Sequence, residues 1–129
     1  MPERIGVFGG TFDPPHVGHL VTAVNVRHAL SLDRVLLVVA NVPWQKEGQR
    51  DISDGEDRLA LVEAAVGPVQ GLEACRIELD RGGPSYTADT LAALSARHTC
   101  LRPGAVCFPG DSFKRGSPPC STSLYTMPR

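Results

Sequence analysis

Hydrophobic positions along the first hundred residues follow two different periods. The apolar run from Ile5 to Phe8 and the longer run from Val35 to Ala40 have the continuous hydrophobicity of strands that are covered on both faces. Between them, apolar residues recur at helical spacing from Val17 to Ala29. The pattern predicts a strand, a helix and a second, parallel strand, which are joined by a right-handed crossover.

The first helix is predicted to bury one apolar face. Helical spacing places the members of this face along a single stripe, which a surface helix turns towards the core. They are Val17, Leu20, Val21, Val24 and Ala29, and the polar side carries Asn25, Arg27 and His28.

A second helix is predicted after a polar loop that runs from Asn41 to Asp54. Ser53 and Glu56 have the spacing of a capping box, in which two side chains satisfy backbone N–H groups at the helix start. Gly67-Pro68 ends this helix, because proline cannot continue it.

The following hydrophobic positions predict one more strand and one more helix. Cys75 to Leu79 alternates between apolar and polar residues, as a strand does. Residues 81–84 form a turn, and either Ser85 or Thr87 caps a helix that runs through Leu94.

The texture of the chain changes after His98. Proline, glycine, serine, threonine and cysteine dominate from there on, and only Ala105 to Phe108 has the pattern of a short strand. We therefore expect residues 1–98 to form the folded domain and residues 99–129 to form an irregular tail.

Composition narrows the function classes. The chain has 129 residues, 42% of them hydrophobic and 21% charged, which is the ordinary balance of a globular domain. A formal net charge of −1 argues against broad neutralisation of nucleic-acid phosphates, although a local nest of amides can still bind a small anion. The sequence predicts neither a membrane span nor a signal peptide, so we expect a cytoplasmic protein. The four cysteines lack a C-x-x-C pair, and neither a metal cluster nor disulfides are expected.

The stretch GGTFDPPHVGHL, residues 9–20, has an unusual composition for the connection between a strand and a helix. Its glycine pair lets backbone amides approach a ligand closely, and the helix start offers unpaired N–H groups to a phosphate. His16 and His19 stand on one face of the first turn, where both can donate hydrogen bonds to one oxyanion. This chemistry suits nucleotidyl transfer, in which catalysis comes from positioning and charge stabilisation. The alternative is that the histidines are loop and helix-cap residues.

The stretch closely resembles the signature of the HxGH nucleotidyltransferase superfamily. Three further stretches are similar to its nicotinate-nucleotide adenylyltransferase branch: VPWQK (residues 42–46), DRLALVEAA (57–65) and RGGPSYTADTL (81–91). The resemblance implies an α/β fold with a Rossmann-like, doubly wound parallel sheet. It also implies transfer of AMP from ATP to nicotinate mononucleotide, giving deamido-NAD and pyrophosphate in NAD biosynthesis, with a requirement for Mg2+.

The resemblance also implies roles for individual residues. The ATP loop comprises Gly9, Gly10, Thr11, Phe12, His16, Gly18 and His19, and the catalytic residues are His16, His19 and Lys46. The nicotinate mononucleotide site comprises Trp44, Ser85, Tyr86 and Thr87. Alternatives stay open for three of them: Lys46 as a solvated loop lysine, Trp44 as a packing residue and Thr87 as a plain helix cap. Asp57 and Arg58 are expected to organise the second helix and to take no part in the chemistry.

The similarity stops near His98. The family continues with a fourth strand that ends in a glycine-x-aspartate loop, a tryptophan-bearing segment and an ISSTxxR helix start, to which Gly110-Asp111 and CSTSLYTMPR are only faintly similar. We expect a C-terminally truncated domain, with a shifted reading frame as one explanation of the tail. The alternatives to the adenylyltransferase are an inactive nucleotide-binding fragment and a sister transferase acting on phosphopantetheine or a cytidylyl substrate.

Overall fold

The computed structural model describes residues 3–43, 51–85, 87–97 and 123–126. Strands and helices alternate through most of these residues, as the hydrophobic pattern predicts. In chain order the elements are β1 (Ile5–Gly10), α1 (Val17–Ala29), β2 (Arg34–Val39), β3 (Val42–Pro43), α2 (Gly55–Val66), β4 (Leu72–Cys75), α3 (Ile77–Arg81), β5 (Pro84–Ser85), α4 (Thr87–Arg97) and β6 (Ser123–Thr126). None of the helices within the described residues is long and apolar enough to cross a membrane.

Parallel pairing of β1, β2 and β4 forms the main sheet. β1 pairs with β2 from Ile5 opposite Arg34 to Gly10 opposite Val39, and β2 pairs with β4 on its other side. β6 pairs with β1 in the antiparallel direction, which gives the order β4-β2-β1-β6 among the described strands. The hydrophobic pattern does not predict β6. The parallel α/β sheet and the first crossover helix are confirmed.

One face of the sheet packs against α1 and α2. Alternate side chains of β2 point to this face because successive residues of a strand alternate between the two sides of a sheet. Val35, Leu37 and Val39 lie there in one core with Ala23 of α1 and Val62 of α2. Burying side chains of this size contributes about 1.5–3 kcal/mol each.

The opposite face packs against α3 and α4. Leu36 and Val38, the intervening residues of β2, lie in a second core with Ile77 of α3 and Leu94 of α4. Helices therefore cover both faces of the sheet, and the predicted doubly wound Rossmann-like arrangement is confirmed.

The buried face of α1 differs from the predicted one. Val17, Val21 and Val24 are 74%, 51% and 38% exposed, whereas Ala23 is completely buried and Leu20 packs against the core. A small residue at the centre of the contact lets the helix backbone approach the sheet closely. The valines then lie on the side of the helix that faces away from β1 and β2.

The predicted third strand and the predicted second helix cap both shift by a few residues. β4 ends at Cys75. Ile77, Glu78 and Leu79, which the alternating pattern predicts as part of a strand, instead begin α3, and an ion pair between Arg76 and Asp80 supports this helix at the i, i+4 spacing. Asp54 caps α2 by accepting the N–H of Glu56 at 2.9 Å, in place of the predicted Ser53. Ser53 instead donates its backbone N–H to the carboxylate of Asp13.

Candidate functional site

The GGTFDPPHVGHL stretch connects the carboxyl end of β1 to α1 and is anchored by Phe12. The Phe12 ring is buried and stands edge-on to His19, with 4.9 Å between the ring centroids. A Cβ atom on Gly10 would lie 3.1 Å from this ring, so a larger residue at position 10 would displace the anchor. A Cβ atom on Gly9 would meet none of the described atoms within 4 Å, which leaves space beside the backbone at the end of β1.

His16 and His19 form a stacked pair at the start of α1. Their ring centroids are 3.7 Å apart and their planes are inclined by 23°. The Nδ1 atom of His16 accepts the N–H of Gly18 at 3.1 Å, and the Nδ1 atom of His19 accepts the N–H of His16 at 3.1 Å. An imidazole that accepts at Nδ1 carries its proton at Nε2. The structure thus brings the two predicted catalytic histidines together as two Nε2–H donors.

The pair is also the cap of α1. His16 is the N-cap residue, and together with His19 it forms a reciprocal capping box with imidazoles in place of the usual hydroxyl and carboxylate. The interpretation of the histidines as helix-cap residues is therefore confirmed, and their catalytic role stays a prediction. Capping with Nδ1 fixes both rings and leaves Nε2 for a ligand.

The electrostatic state of His19 suits a hydrogen-bond donor. Burial lowers the pKa of His19 below its ordinary value of 6.5, and the neighbouring His16 lowers that pKa further. A neutral ring at Nδ1-accepting geometry is the form that caps the helix and donates through Nε2. A bound anion would favour the protonated ring and act in the opposite direction.

Gly18 gives His16 room to cap the helix. A Cβ atom at position 18 would lie 3.0 Å from both Cε1 and Nδ1 of the His16 ring. The family resemblance implies that this glycine belongs to the ATP loop, and the structure shows a steric reason for a glycine within the protein itself.

Arg58 reaches from α2 to the backbone of three loops at this edge of the sheet. Its side chain is among the most deeply buried of the described residues, with 1% exposed. The guanidinium donates to the carbonyl oxygens of Thr11 at 2.9 Å and Ala40 at 2.6 Å through Nη1, Asn41 at 3.1 Å through Nη2, and Ser53 at 2.8 Å through Nε. The sequence does not predict this role, because the identity of a helical arginine does not indicate which carbonyls its side chain reaches.

The charge of Arg58 has two carboxylates nearby. Burial lowers the pKa of Arg58, while Asp13 and Asp54 raise it again. Asp13 also accepts the backbone N–H of Ser53 at 3.0 Å, so it ties the first loop to the segment before α2 as well. The loop after β1 is held by both groups.

A second segment with predicted site residues lies beside the loop after β2. β3 and β5 pair in parallel, with Val42 opposite Pro84 and Pro43 opposite Ser85. The side-chain amide of Asn41 donates to the carbonyl oxygen of Gly83 at 2.9 Å. The VPWQK and RGGPSYTADTL stretches, about forty residues apart in sequence, are therefore adjacent where β3 meets β5.

The predicted residues of the nicotinate mononucleotide site are only partly described. Ser85 ends β5 and Thr87 begins α4. Trp44, Lys46 and Tyr86 lie outside the described residues. Their roles, and those of the ATP-loop residues, stay predictions.

A buried polar group docks α4 next to this segment. Glu78 and Thr90, both largely buried, are hydrogen-bonded through the Thr90 hydroxyl, and the Arg81 guanidinium donates to the same hydroxyl oxygen at 3.3 Å. Gly82 and Gly83 between α3 and β5 have φ values of +70° and +72°, which glycine adopts without strain. The turn before β5 and the start of α4 are thus fixed from both sides.

Among the described residues, no three histidine, cysteine, aspartate or glutamate side chains lie close enough to hold a metal ion together. The chemistry that these residues offer is that of hydrogen-bond donors, the two imidazoles at the start of α1. Donors in this arrangement bind phosphate oxygens.

One known protein family has a sequence model that matches most of this chain. The family model described as cytidylyltransferase-like matches residues 7–113, which include most of β1, the stacked histidines and α2. The chain belongs to this family. The family match thus confirms the resemblance to nucleotidyltransferases that the sequence motifs indicate, and the Rossmann-like sheet is consistent with it.

Curated relatives are similar over the same part of the chain. A protein of Desulfatibacillum aliphaticivorans is 50% identical over 93 residues, which cover 72% of this chain and 43% of the relative. A protein of Corynebacterium kroppenstedtii is 46% identical over 95 residues (74% and 44%), and one of Halalkalibacterium halodurans is 44% identical over 101 residues (78% and 48%). Each is named a probable nicotinate-nucleotide adenylyltransferase. The matches span about half the length of these relatives.

Proposed function

We propose that this member of the cytidylyltransferase-like family is a nicotinate-nucleotide adenylyltransferase, which transfers AMP from ATP to nicotinate mononucleotide. The observation that carries the proposal is the stacked pair of His16 and His19, whose Nδ1 atoms both accept backbone N–H groups. The names of the relatives support the choice of substrates. In this proposal residues 1–98 are the nucleotidyltransferase domain.

The reaction needs positioning and charge stabilisation more than an enzyme nucleophile. A phosphate oxygen of nicotinate mononucleotide attacks the α-phosphorus of ATP, the bond from that phosphorus to the bridging oxygen breaks, and pyrophosphate leaves with the bond's electrons. Negative charge grows on the oxygens around the α-phosphorus and on the leaving group. His16 and His19 donate hydrogen bonds to these oxygens, and losing one such donor typically costs about a hundredfold or more in rate.

The loop after β1 binds the nucleotide. Gly9, Gly10, Thr11 and Phe12 present backbone groups at the carboxyl end of the strand, and Gly18 lies in the first turn of α1, whose N-terminus attracts phosphate. Lys46 supplies a positive charge to the triphosphate. Mg2+ enters with the substrate as MgATP, where it neutralises part of the phosphate charge.

The segment around β5 and the start of α4 binds nicotinate mononucleotide. Ser85, Tyr86 and Thr87 bind the ring and its carboxylate, since backbone N–H groups at the start of α4 suit a carboxylate. Trp44 lines the pyridine pocket. The pairing of β3 with β5 supports this assignment, because it brings these two stretches together.

A pyrophosphate-release assay tests the proposal. ATP, magnesium and nicotinate mononucleotide are supplied to the chain, and phosphopantetheine or a cytidylyl substrate replaces the acceptor or donor in parallel reactions. We expect pyrophosphate release only in the reaction that contains ATP and nicotinate mononucleotide, and none with the sister substrates. Release with a sister substrate instead, or ATP binding by calorimetry without any release, would reject the proposed activity in favour of a sister transferase or an inactive fragment.

A further inference from the structure

The two substrate segments of the proposed site are mechanically connected. The loop after β1 holds the proposed ATP residues, and the segment from Gly83 to Thr87 holds residues proposed for nicotinate mononucleotide. A hydrogen-bonded path runs between them: the Thr11 carbonyl accepts from Arg58, Arg58 donates to the Asn41 carbonyl, and the Asn41 amide donates to the Gly83 carbonyl. No substrate atom is part of this path.

The first half of the path depends on burial of a charge. Removing a guanidinium from water is costly unless its N–H groups are satisfied, and Arg58 meets this condition with four backbone carbonyls. Those carbonyls belong to the loops after β1 and β2 and to the segment before α2. The planar fork therefore sets the spacing of these loops, which a lysine ammonium on a flexible stem cannot do.

The second half of the path is the side chain of Asn41. The backbone carbonyl oxygen of Asn41 accepts from Arg58 and its side-chain amide donates to Gly83, so the two contacts are separated by only a few bonds. The same residue immediately precedes β3, whose pairing with β5 begins at Val42 opposite Pro84. A shift of the loop after β2 would thus move the turn at Gly83.

We propose that Arg58 and Asn41 are positioning residues that hold the two substrate segments at the separation the transfer requires. Neither residue touches the reacting atoms; both act through the backbone at Thr11 and Gly83. The inference rests on the proposed function, because it assumes that one segment binds ATP and the other binds nicotinate mononucleotide. Correct relative placement of two reactants is a large part of the rate of such a reaction, and an error of about 1 Å can cost about a hundredfold.

The product offers a direct probe of this separation. Deamido-NAD carries both nucleotide halves in one molecule, so its affinity depends on the distance between the two segments, whereas ATP and nicotinate mononucleotide each report on one segment alone. The variants are Asn41→Ala, which removes the donor to Gly83, and Arg58→Lys, which keeps the charge. Arg27→Lys is the matched control: Arg27 also donates to a backbone carbonyl, that of Asp33, on the loop that follows α1.

Calorimetry with the three ligands gives the first readout. We expect Asn41→Ala and Arg58→Lys to bind deamido-NAD about tenfold more weakly than the parent. Their affinities for ATP and for nicotinate mononucleotide should stay within about twofold of the parent. Arg27→Lys should match the parent for all three ligands. Unchanged affinity of both variants for deamido-NAD would overturn the inference. Equal weakening of all three ligands would overturn it too, because that result indicates a general loss of structure.

Amide hydrogen exchange on the ligand-free chain gives the second readout. Asn41→Ala should speed exchange in residues 82–85 alone, and Arg58→Lys should speed it in residues 9–13 and 82–85 together. Unchanged exchange in residues 82–85 in both variants would overturn the connection whatever the ligands do. A parent chain that binds neither ATP nor deamido-NAD, with the expected exchange pattern intact, would instead contradict the proposed function and leave the connection between the segments supported.

Discussion

His16 and His19 lie face to face, with 3.7 Å between their ring centroids, and each ring accepts a backbone N–H through Nδ1. The same two atoms that cap α1 therefore define which nitrogen carries the proton. Helix capping and the proposed catalysis use opposite sides of each ring, so they can be separated by substitution.

Replacing His16 with asparagine or with alanine should separate the two roles. Asparagine is a good N-cap and can accept the Gly18 N–H in place of Nδ1, whereas alanine cannot. We expect both variants to lower kcat about a hundredfold or more, because both lose the Nε2–H donor. Only His16→Ala should also lose about 1 kcal/mol of unfolding free energy.

For His19→Ala we also expect a fall in kcat of about a hundredfold or more. Steady-state kinetics and urea unfolding measure the two effects separately. A change confined to KM in either the His16 or the His19 variants would contradict a role in the transition state.

The free energy of unfolding should fall as the pH is lowered through the ordinary pKa of histidine. The pKa of His19 is lowered in the folded chain, so below about pH 6.5 the unfolded state binds more protons than the folded state. The stability that comes from the neutral ring is complete above pH 6.5 and is lost as the pH falls. Urea unfolding at pH 7.5, 6.5 and 5.5 measures this slope.

His19→Asn is the control for the pH dependence. Asparagine can still accept the His16 N–H but does not titrate, so the slope between pH 7.5 and 5.5 should flatten in this variant. An identical slope in parent and variant would assign the pH dependence to other groups.

Gly18→Ala should lose activity without losing stability. Alanine is favoured over glycine within a helix by about 1 kcal/mol, and displacement of the His16 cap costs about as much. The added Cβ would lie 3.0 Å from the His16 ring, so the ring has to shift by a few tenths of an ångström relative to His19. We expect an unfolding free energy close to that of the parent and a kcat below that of the parent. A variant with parental kcat would show that the stack is not needed.

Substitutions at Tyr86 and Thr87 should affect one substrate only. Under the proposed function, the double alanine variant weakens nicotinate mononucleotide binding because these residues belong to its segment. ATP binding is the internal control and should stay nearly intact. Calorimetric titration with both ligands decides the assignment, and equal losses for the two ligands would reject it.

Thr90→Val should destabilise the chain by about 1–3 kcal/mol. Valine has nearly the shape of threonine but removes the hydroxyl that is bonded to the buried carboxylate of Glu78 and to Arg81. Thr90→Ser keeps that hydroxyl and should cost much less. Thermal unfolding measures both variants, and equal stability of Thr90→Val and the parent would show that this contact adds nothing net.

Local patterns along the chain were enough to predict the core of this fold. Continuous apolar runs predicted β1 and β2, and helical spacing predicted α1 from Val17 to Ala29, as the structure has it. Gly67 was also predicted as the end of α2. These features depend on neighbours in sequence, which is why they can be read without a structure. The histidine motif belongs to the same class, since residues three apart at a helix start must be close in space.

Direction and distance across the fold were decided by tertiary structure. Helical spacing showed that α1 has an apolar side. It did not show that Ala23 faces the sheet while Val17 and Val21 are exposed. The alternation from Cys75 to Leu79 predicted a strand, but packing of Ile77 against β2 and α4 selected a short helix after Cys75.

The hydrogen bonds that Arg58 makes to distant loops could not be predicted from the sequence. The sequence predicted only that Arg58 organises α2, whereas its partners lie up to 47 positions away in the chain and are backbone carbonyls, which every residue possesses. The identities of the side chains therefore do not predict which carbonyls Arg58 contacts. By itself the sequence determined β1, α1, β2, α2 and α4 and placed the two histidines at the start of α1. Only folding decided which loops Arg58 and Asn41 join, because that depends on where the ends of β1 and β2 meet in space.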